Sequence, residues 1–231
     1  MLDYTSVLKK LDVSYTDKCQ SDSPTNLLCL NISDEYLSSE IKLMVFGQET
    51  NDWDGAYSGV DKFNSEVDRV NWLKGIYDDF FTSKYCYSYG GQFWNGVSKL
   101  VNSIEDRTGK TVGLLWNNIV KIGRNGDKGR PEDSIIDWQK PALDFIIEEI
   151  KTAQPDIVIF FTGPNYDDRL QAVFNDMQFK STPTRSTREL SIVTSDNLPL
   201  RSIRTYHPNF LWRNDFDGYL DDILTVVLPK N

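Results

Sequence analysis

Residues 41–53 read IKLMVFGQETNDW, and the way this stretch changes character decides the fold. Ile41 and Leu43–Phe46 make an apolar strand that stops at Gly47. An amide, a carboxylate, a hydroxyl, an amide and a carboxylate follow, Gln48 to Asp52, before Trp53. A strand whose apolar residues run on rather than alternate is covered on both faces, as in a parallel sheet. Polar residues bunched at its carboxyl end are either a solvated loop or a site.

Three further stretches read as strands: Val112–Trp116 (VGLLW), Asp156–Phe161 (DIVIFF) and Leu200–Tyr206 (LRSIRTY). Between them the apolar residues take a helical period. Phe63, Val67, Val70, Leu73, Tyr77 and Phe80 form one series, and Phe93, Val97, Leu100, Val101 and Ile104 another. Pro141 opens a third helix, with Leu143, Ile146, Ile147 and Ile150 inward, and QPD closes it. TGPNYDDRLQAVFNDM reads as a turn and then a helix from about Asn165, and DGYLDDILTVVL as a last helix on the sheet. Strands alternating with helices predict a three-layer α/β/α fold around a central, mostly parallel four-stranded sheet. The chain has 231 residues, 39% of them hydrophobic, enough for one core. With no internal repeat or Pro/Gly/Ser linker, residues 1–231 are expected to form a single domain with an aromatic-rich insert at about 54–91.

Composition narrows the chemistry. Cys19, Cys29 and Cys86 are odd in number and form no C-x-x-C pair, and His207 is the single histidine. No structural metal is expected, and the compartment is expected to be reducing. No 18-residue apolar segment exists, and MLDYTSVLKKLD lacks the features of a secretion signal. The expectation is a cytoplasmic monomer away from membranes. A formal charge of −9 argues against nucleic-acid binding over the whole surface. Two segments are nevertheless basic: Lys121–Arg130 carries four basic residues against one aspartate, and Lys180–Arg204 five against Glu189 and Asp196.

Each strand ends on polar groups: Gln48-Glu49, Asn117-Asn118, Thr162-Gly163 and His207-Pro208. In a parallel sheet these carboxyl ends share one rim, where ligands collect. A carboxylate, an amide and the chain's one imidazole on that rim form an acid/base and hydrogen-bonding constellation. Taken singly, Glu49 reads as a solvated loop carboxylate, Asn117 as a turn or cap residue, and His207 as a structural histidine; it is their conjunction on one rim that reads as a site.

In motif order the chain resembles the uracil-DNA glycosylase superfamily. VFGQETNDW is similar to that family's Gly-Gln-Asp-Pro-Tyr-His turn, GLLWNNIV to its strand ending in a base-reading Asn, and YHPNFLWR to its His-Pro-Ser-Pro-Leu motif. DIVIFFTG resembles the family's third strand, and the likeness spans Ile41 to about Arg213. It implies a monofunctional DNA glycosylase of base-excision repair that flips a uracil, or a related damaged base, out of DNA and needs no metal and no cofactor. Glu49 and His207 are then catalytic: Glu49 orients water and stabilises the sugar cation, and His207 donates to the leaving base's O2. Gln48 and Asn117 contact the base, with Phe93 or Tyr57 stacked on it. Leu211 is the wedge that fills the gap left in the duplex. Arg213, with Arg124, Lys128 and Arg130 of the basic loop, meets the DNA in a local basic groove. The chain departs from the family in having Glu49 for Asp, Thr50-Asn51 for Pro-Tyr and Asn209-Phe210 for Ser-Pro. A base- or nucleotide-binding protein without turnover, and a hydrolase of free nucleosides or nucleotides, stand as alternatives.

Overall fold

The computed structural model describes residues 2–228. Its strands are β1 (Ile41–Glu49), β2 (Val112–Val120), β3 (Ile157–Phe160), β4 (Gln178–Ser181), β5 (Leu190–Thr194) and β6 (Arg201–Thr205). They form one six-stranded sheet in the order β2-β1-β3-β6-β5-β4. β1 lies parallel to β2 and β3, and β3 parallel to β6. β5 runs antiparallel to both β6 and β4.

The α/β architecture stands, and the expected four-stranded sheet is corrected to six strands. The two added strands leave little trace in sequence. β4 reads QFKS, largely exposed, with Phe179 as its one apolar residue. β5 reads LSIVT and lies within the segment read from its charge as a basic loop.

Leu43–Gly47 of β1 and all of β3 are buried. Successive strand residues face opposite sides, so burial of every residue requires cover on both faces. Phe46 and Phe160, partners in the β1–β3 register, pack with ring centroids 4.8 Å apart. The helices gather in two groups. Thr5–Val13 contacts Glu66–Tyr77 and Lys140–Asp144, and Pro208–Asn214 contacts Gln92–Thr108 and Phe216–Val227. Gln92–Thr108 buries Val97, Leu100 and Ile104 of the predicted stripe, with Phe93 and Val101 partly buried and Trp94 added, at about 1.5–3 kcal/mol for each large buried side chain. The helix opened by Pro141 breaks at Phe145 and resumes as Ile146–Ala153.

The connectivity locates the crevice. β1 leads by its crossover to β2 on one side, whereas β3 leads towards β6 on the other. The switch of direction therefore falls between β1 and β3, at whose carboxyl ends an open α/β sheet gathers its ligands. The aromatic segment 54–91 folds largely as the helix Glu66–Tyr77, a π-helical turn Asp78–Thr82 and the short helix Tyr85–Tyr89. Among the described residues no helix is long and apolar enough to cross a membrane. Cys19, Cys29 and Cys86 are free and buried, and burial pushes each thiol up, Cys19 and Cys86 to about 11.

Candidate active site

A cavity of about 550 Å³ opens beside the carboxyl end of β1. Gly47, Gln48, Glu49 and the loop to Asp54 form one wall, with Asn118, Lys128, Phe93 and His207 around it. The aromatic segment adds Phe80, Tyr85 and Tyr89, and the core side adds Trp94 and Trp116. Asp52 and Asp54 hold left-handed backbone angles, φ 45° and 53°. Aspartate tolerates this conformation better than most non-glycine residues. Asp52 Oδ1 accepts from the Gly126 amide at 2.8 Å and Asn51 Oδ1 from the Gly129 amide at 2.9 Å. The loop after β1 is thereby tied to the loop after β2.

Gln48 and Glu49 are both held by the segment that follows β3. Gln48 Nε2 donates to the Thr162 carbonyl at 2.8 Å. Glu49 Oε1 accepts from the Tyr166 hydroxyl. Burial raises the Glu49 carboxyl above its ordinary value, while the nearby guanidinium groups of Arg169 and Arg130 pull it down. A carboxylate of this kind binds a proton more readily than an exposed one, which suits it to take a proton from water.

His207 precedes the helix Pro208–Asn214, and its Nδ1 accepts from the Asn209 amide at 3.1 Å. An accepting Nδ1 puts the proton of the neutral ring on Nε2. Burial pushes the imidazolium down to about 4, so the ring is neutral at pH 7 and Nε2–H is a donor. Phe93 stacks on it, centroids 5.4 Å apart and planes 30° from parallel. Gly47 keeps this corner open: a Cβ there would lie 2.3 Å from Asn118 Oδ1 and 3.5 Å from Phe93 Cε2.

The asparagine that lines the cavity is Asn118, not Asn117. Asn118 Nδ2 donates to the Glu49 carbonyl at 3.0 Å and to Thr50 Oγ1 at 3.3 Å. Both amide hydrogens are thereby used, and Oδ1 remains as an acceptor beside Gly47. Asn117, one residue earlier on β2, points to the opposite face. There it donates to Glu149 Oε2 at 2.7 Å and accepts from Lys121 Nζ at 2.8 Å. Its expected contact with a base is corrected to a place in a fully buried polar cluster.

Other expected contacts also lie elsewhere. Tyr57 is buried away from the cavity, its hydroxyl donating to Asp12 Oδ1 at 2.8 Å and its ring packed on Trp138. Leu211 is 1% exposed, so it cannot act as a protruding wedge in this conformation. Its neighbours are also held: Phe210 lies against Tyr206 at 4.1 Å, Trp212 stacks on Phe216, and exposed Arg213 donates to the Asn209 carbonyl at 3.1 Å. Arg124 pairs with Asp127 and Glu132, and Arg130 with Asp133. Lys121 is buried on Glu149 at 2.6 Å. The basic loop thus leaves Lys128 as the one Lys or Arg among the described lining residues, opposite Glu49, Asp52, Asp54 and Asp79.

Sequence reading missed Tyr166, Arg169 and the choice of Asn118. Tyr166 carries no motif, and its role arises only because β1 and β3 are neighbours. The alternation of side chains along β2 separates Asn117 from Asn118, and its phase was not readable in a run buried on both faces. No protein-family model, curated protein or solved structure matches this chain.

Proposed function

We propose that this cavity hydrolyses the N-glycosidic bond of a pyrimidine-type base, uracil or a related damaged base, held in DNA. The observation that carries the reading is the convergence of Glu49, the neutral His207 and Phe93 on one cavity at the switch point of the sheet. In the reaction the bond between C1′ and the base nitrogen breaks and its electron pair leaves with the base. Positive charge grows on the sugar and negative charge on the base oxygens. The Glu49 carboxylate stabilises the cation and receives the proton of the attacking water. His207 Nε2–H donates to the anionic base oxygen, a contact that strengthens as charge develops. Phe93 supplies a stacking face and Gln48 borders the same wall.

The test is base release from uracil-containing single- and double-stranded oligonucleotides, read as strand scission after alkali. Glu49→Gln and His207→Ala are each expected to lower the rate by about 10²–10³. No scission from any substrate, with wild type and variants alike, rejects the reading.

A second reading is favoured by Leu211 being buried and by the carboxylates that outnumber Lys128 around the cavity. A polyanion meets repulsion there, whereas a free nucleoside does not. Release of uracil from deoxyuridine or uridine, with none from the oligonucleotides, selects this alternative.

A further inference from the structure

Glu49 stands where the resembled motif has an aspartate, and its side chain contains one more rotatable bond. A group that must align a water molecule loses rate when that bond is free, because misplacement by about 1 Å costs on the order of 10²-fold. The structure contains a device that removes this freedom. Tyr166 ends the turn Pro164–Tyr166 after β3, and its hydroxyl crosses the β1–β3 crevice to donate to Glu49 Oε1. Arg169 lies over the Tyr166 ring with Cζ 5.6 Å from the centroid. Arg169 forms no ion pair among the described residues, and its charge acts on Glu49 from that stacked position. The same segment fixes Gln48 through the Thr162 carbonyl.

We propose that Tyr166 is the positioning residue of Glu49: its hydroxyl holds Oε1 and leaves Oε2 to receive the attacking water. The inference rests on the glycosidic reading given above. The titratable and charged groups around Glu49 come from each neighbouring element. Tyr166 and Arg169 follow β3, Lys128 and Arg130 follow β2, Asp52 follows β1 itself, and His207 follows β6. Tyr166 is the one side chain among the described residues that donates a hydrogen bond to the carboxylate, beside a backbone amide that also lowers its titration. A donor to the ionised form favours ionisation, so its loss moves Glu49 towards a higher titration midpoint.

The experiment uses full-length Tyr166→Phe, which keeps the ring and its contact with Arg169 and removes only the hydroxyl. Carbon-13 carboxyl NMR follows the Glu49 titration, its resonance identified by its loss in Glu49→Gln. The midpoint is expected to rise by about one pH unit, a tenfold change in ionisation. On a uracil-containing single-stranded oligonucleotide, kcat is expected to fall about 10- to 100-fold while KM stays within about twofold. The acid limb of the kcat profile moves up with the NMR midpoint. Arg169→Gln, which keeps both hydrogen-bond partners, also raises the midpoint. An unchanged Glu49 midpoint in Tyr166→Phe overturns the inference, whatever the activity. A raised midpoint in a protein that releases no base supports the hold on Glu49 and rejects the glycosidic reading.

Discussion

Asn117→Ala removes three hydrogen bonds from a part of the core that water does not reach. Asn117 donates to Glu149 Oε2 at 2.7 Å, and its Oδ1 accepts from Lys121 Nζ at 2.8 Å and from the Asn118 amide at 2.9 Å. Lys121 keeps Glu149 Oε1 at 2.6 Å, and that oxygen also accepts from the Tyr4 hydroxyl at 2.5 Å. The ion pair therefore survives, but Glu149 Oε2 and the Asn118 amide lose their bonds to Asn117. Each buried group left unpaired costs about 1–3 kcal/mol, and a charged one falls at the upper end. The loss comes to about 3–5 kcal/mol. For a chain of this size each kcal/mol lowers Tm by about 2–4 °C, so a fall of roughly 10 °C is expected. Urea and thermal unfolding, followed by tryptophan fluorescence, measure both. Asn118→Ala, at the cavity edge, is expected to cost about 1–2 kcal/mol and to weaken base binding instead. A loss below about 1 kcal/mol in Asn117→Ala, with base release abolished in a folded protein, would refute the assignment of faces along β2.

His207 ties stability to pH. Its folded-state value of about 4 lies below the ordinary 6.5, so the unfolded chain binds the extra proton between these values. Its contribution therefore falls as pH drops from 6.5 towards 4, by roughly 3 kcal/mol in total. Glu49, raised by burial, slopes the other way, so the measurement is the difference between wild type and His207→Gln in urea titrations across that window. Gly47→Ala places a methyl group 2.3 Å from Asn118 Oδ1. It is expected to cost about 1–3 kcal/mol and to weaken base binding as Asn118 shifts, read by chemical unfolding and calorimetry. Leu211→Ala, in the core at 1% exposure, is expected to cost about 2–5 kcal/mol. The ratio of single- to double-strand activity should not change; a selective loss on duplex would restore the wedge.

β1, β2 and β3 were legible because their apolar runs are dense and end on abrupt polar groups, as Phe46-Gly47-Gln48 does; β6, which reads RSIRT, has no such run. The helix Gln92–Thr108 was legible from its period, and Gly109, at φ 66°, ends it about one turn after the apolar series stops at Ile104. β4 and β5 were not legible: an exposed edge strand with one apolar residue looks like any loop. The pairing of the basic residues in 121–130 was hidden for a related reason. Charge counts do not reveal that Arg124 and Arg130 are paired within the same segment and its neighbour, or that Lys121 is buried on Glu149.

By itself the amino-acid sequence determined that this chain builds a mostly parallel α/β sheet with Gln48, Glu49 and His207 at strand ends, because periodicity and strand termini are local properties. Which groups meet was decided only by the tertiary structure. The order β2-β1-β3-β6 sets β1 beside β3, and so brings Tyr166 onto Glu49 from a residue 117 positions away. The phase of β2 sends Asn118 to the cavity and Asn117 into the core. The packing of the last helices buries Leu211. Side-chain contacts across strands depend on sheet order and facing, neither of which a strand's own residues encode.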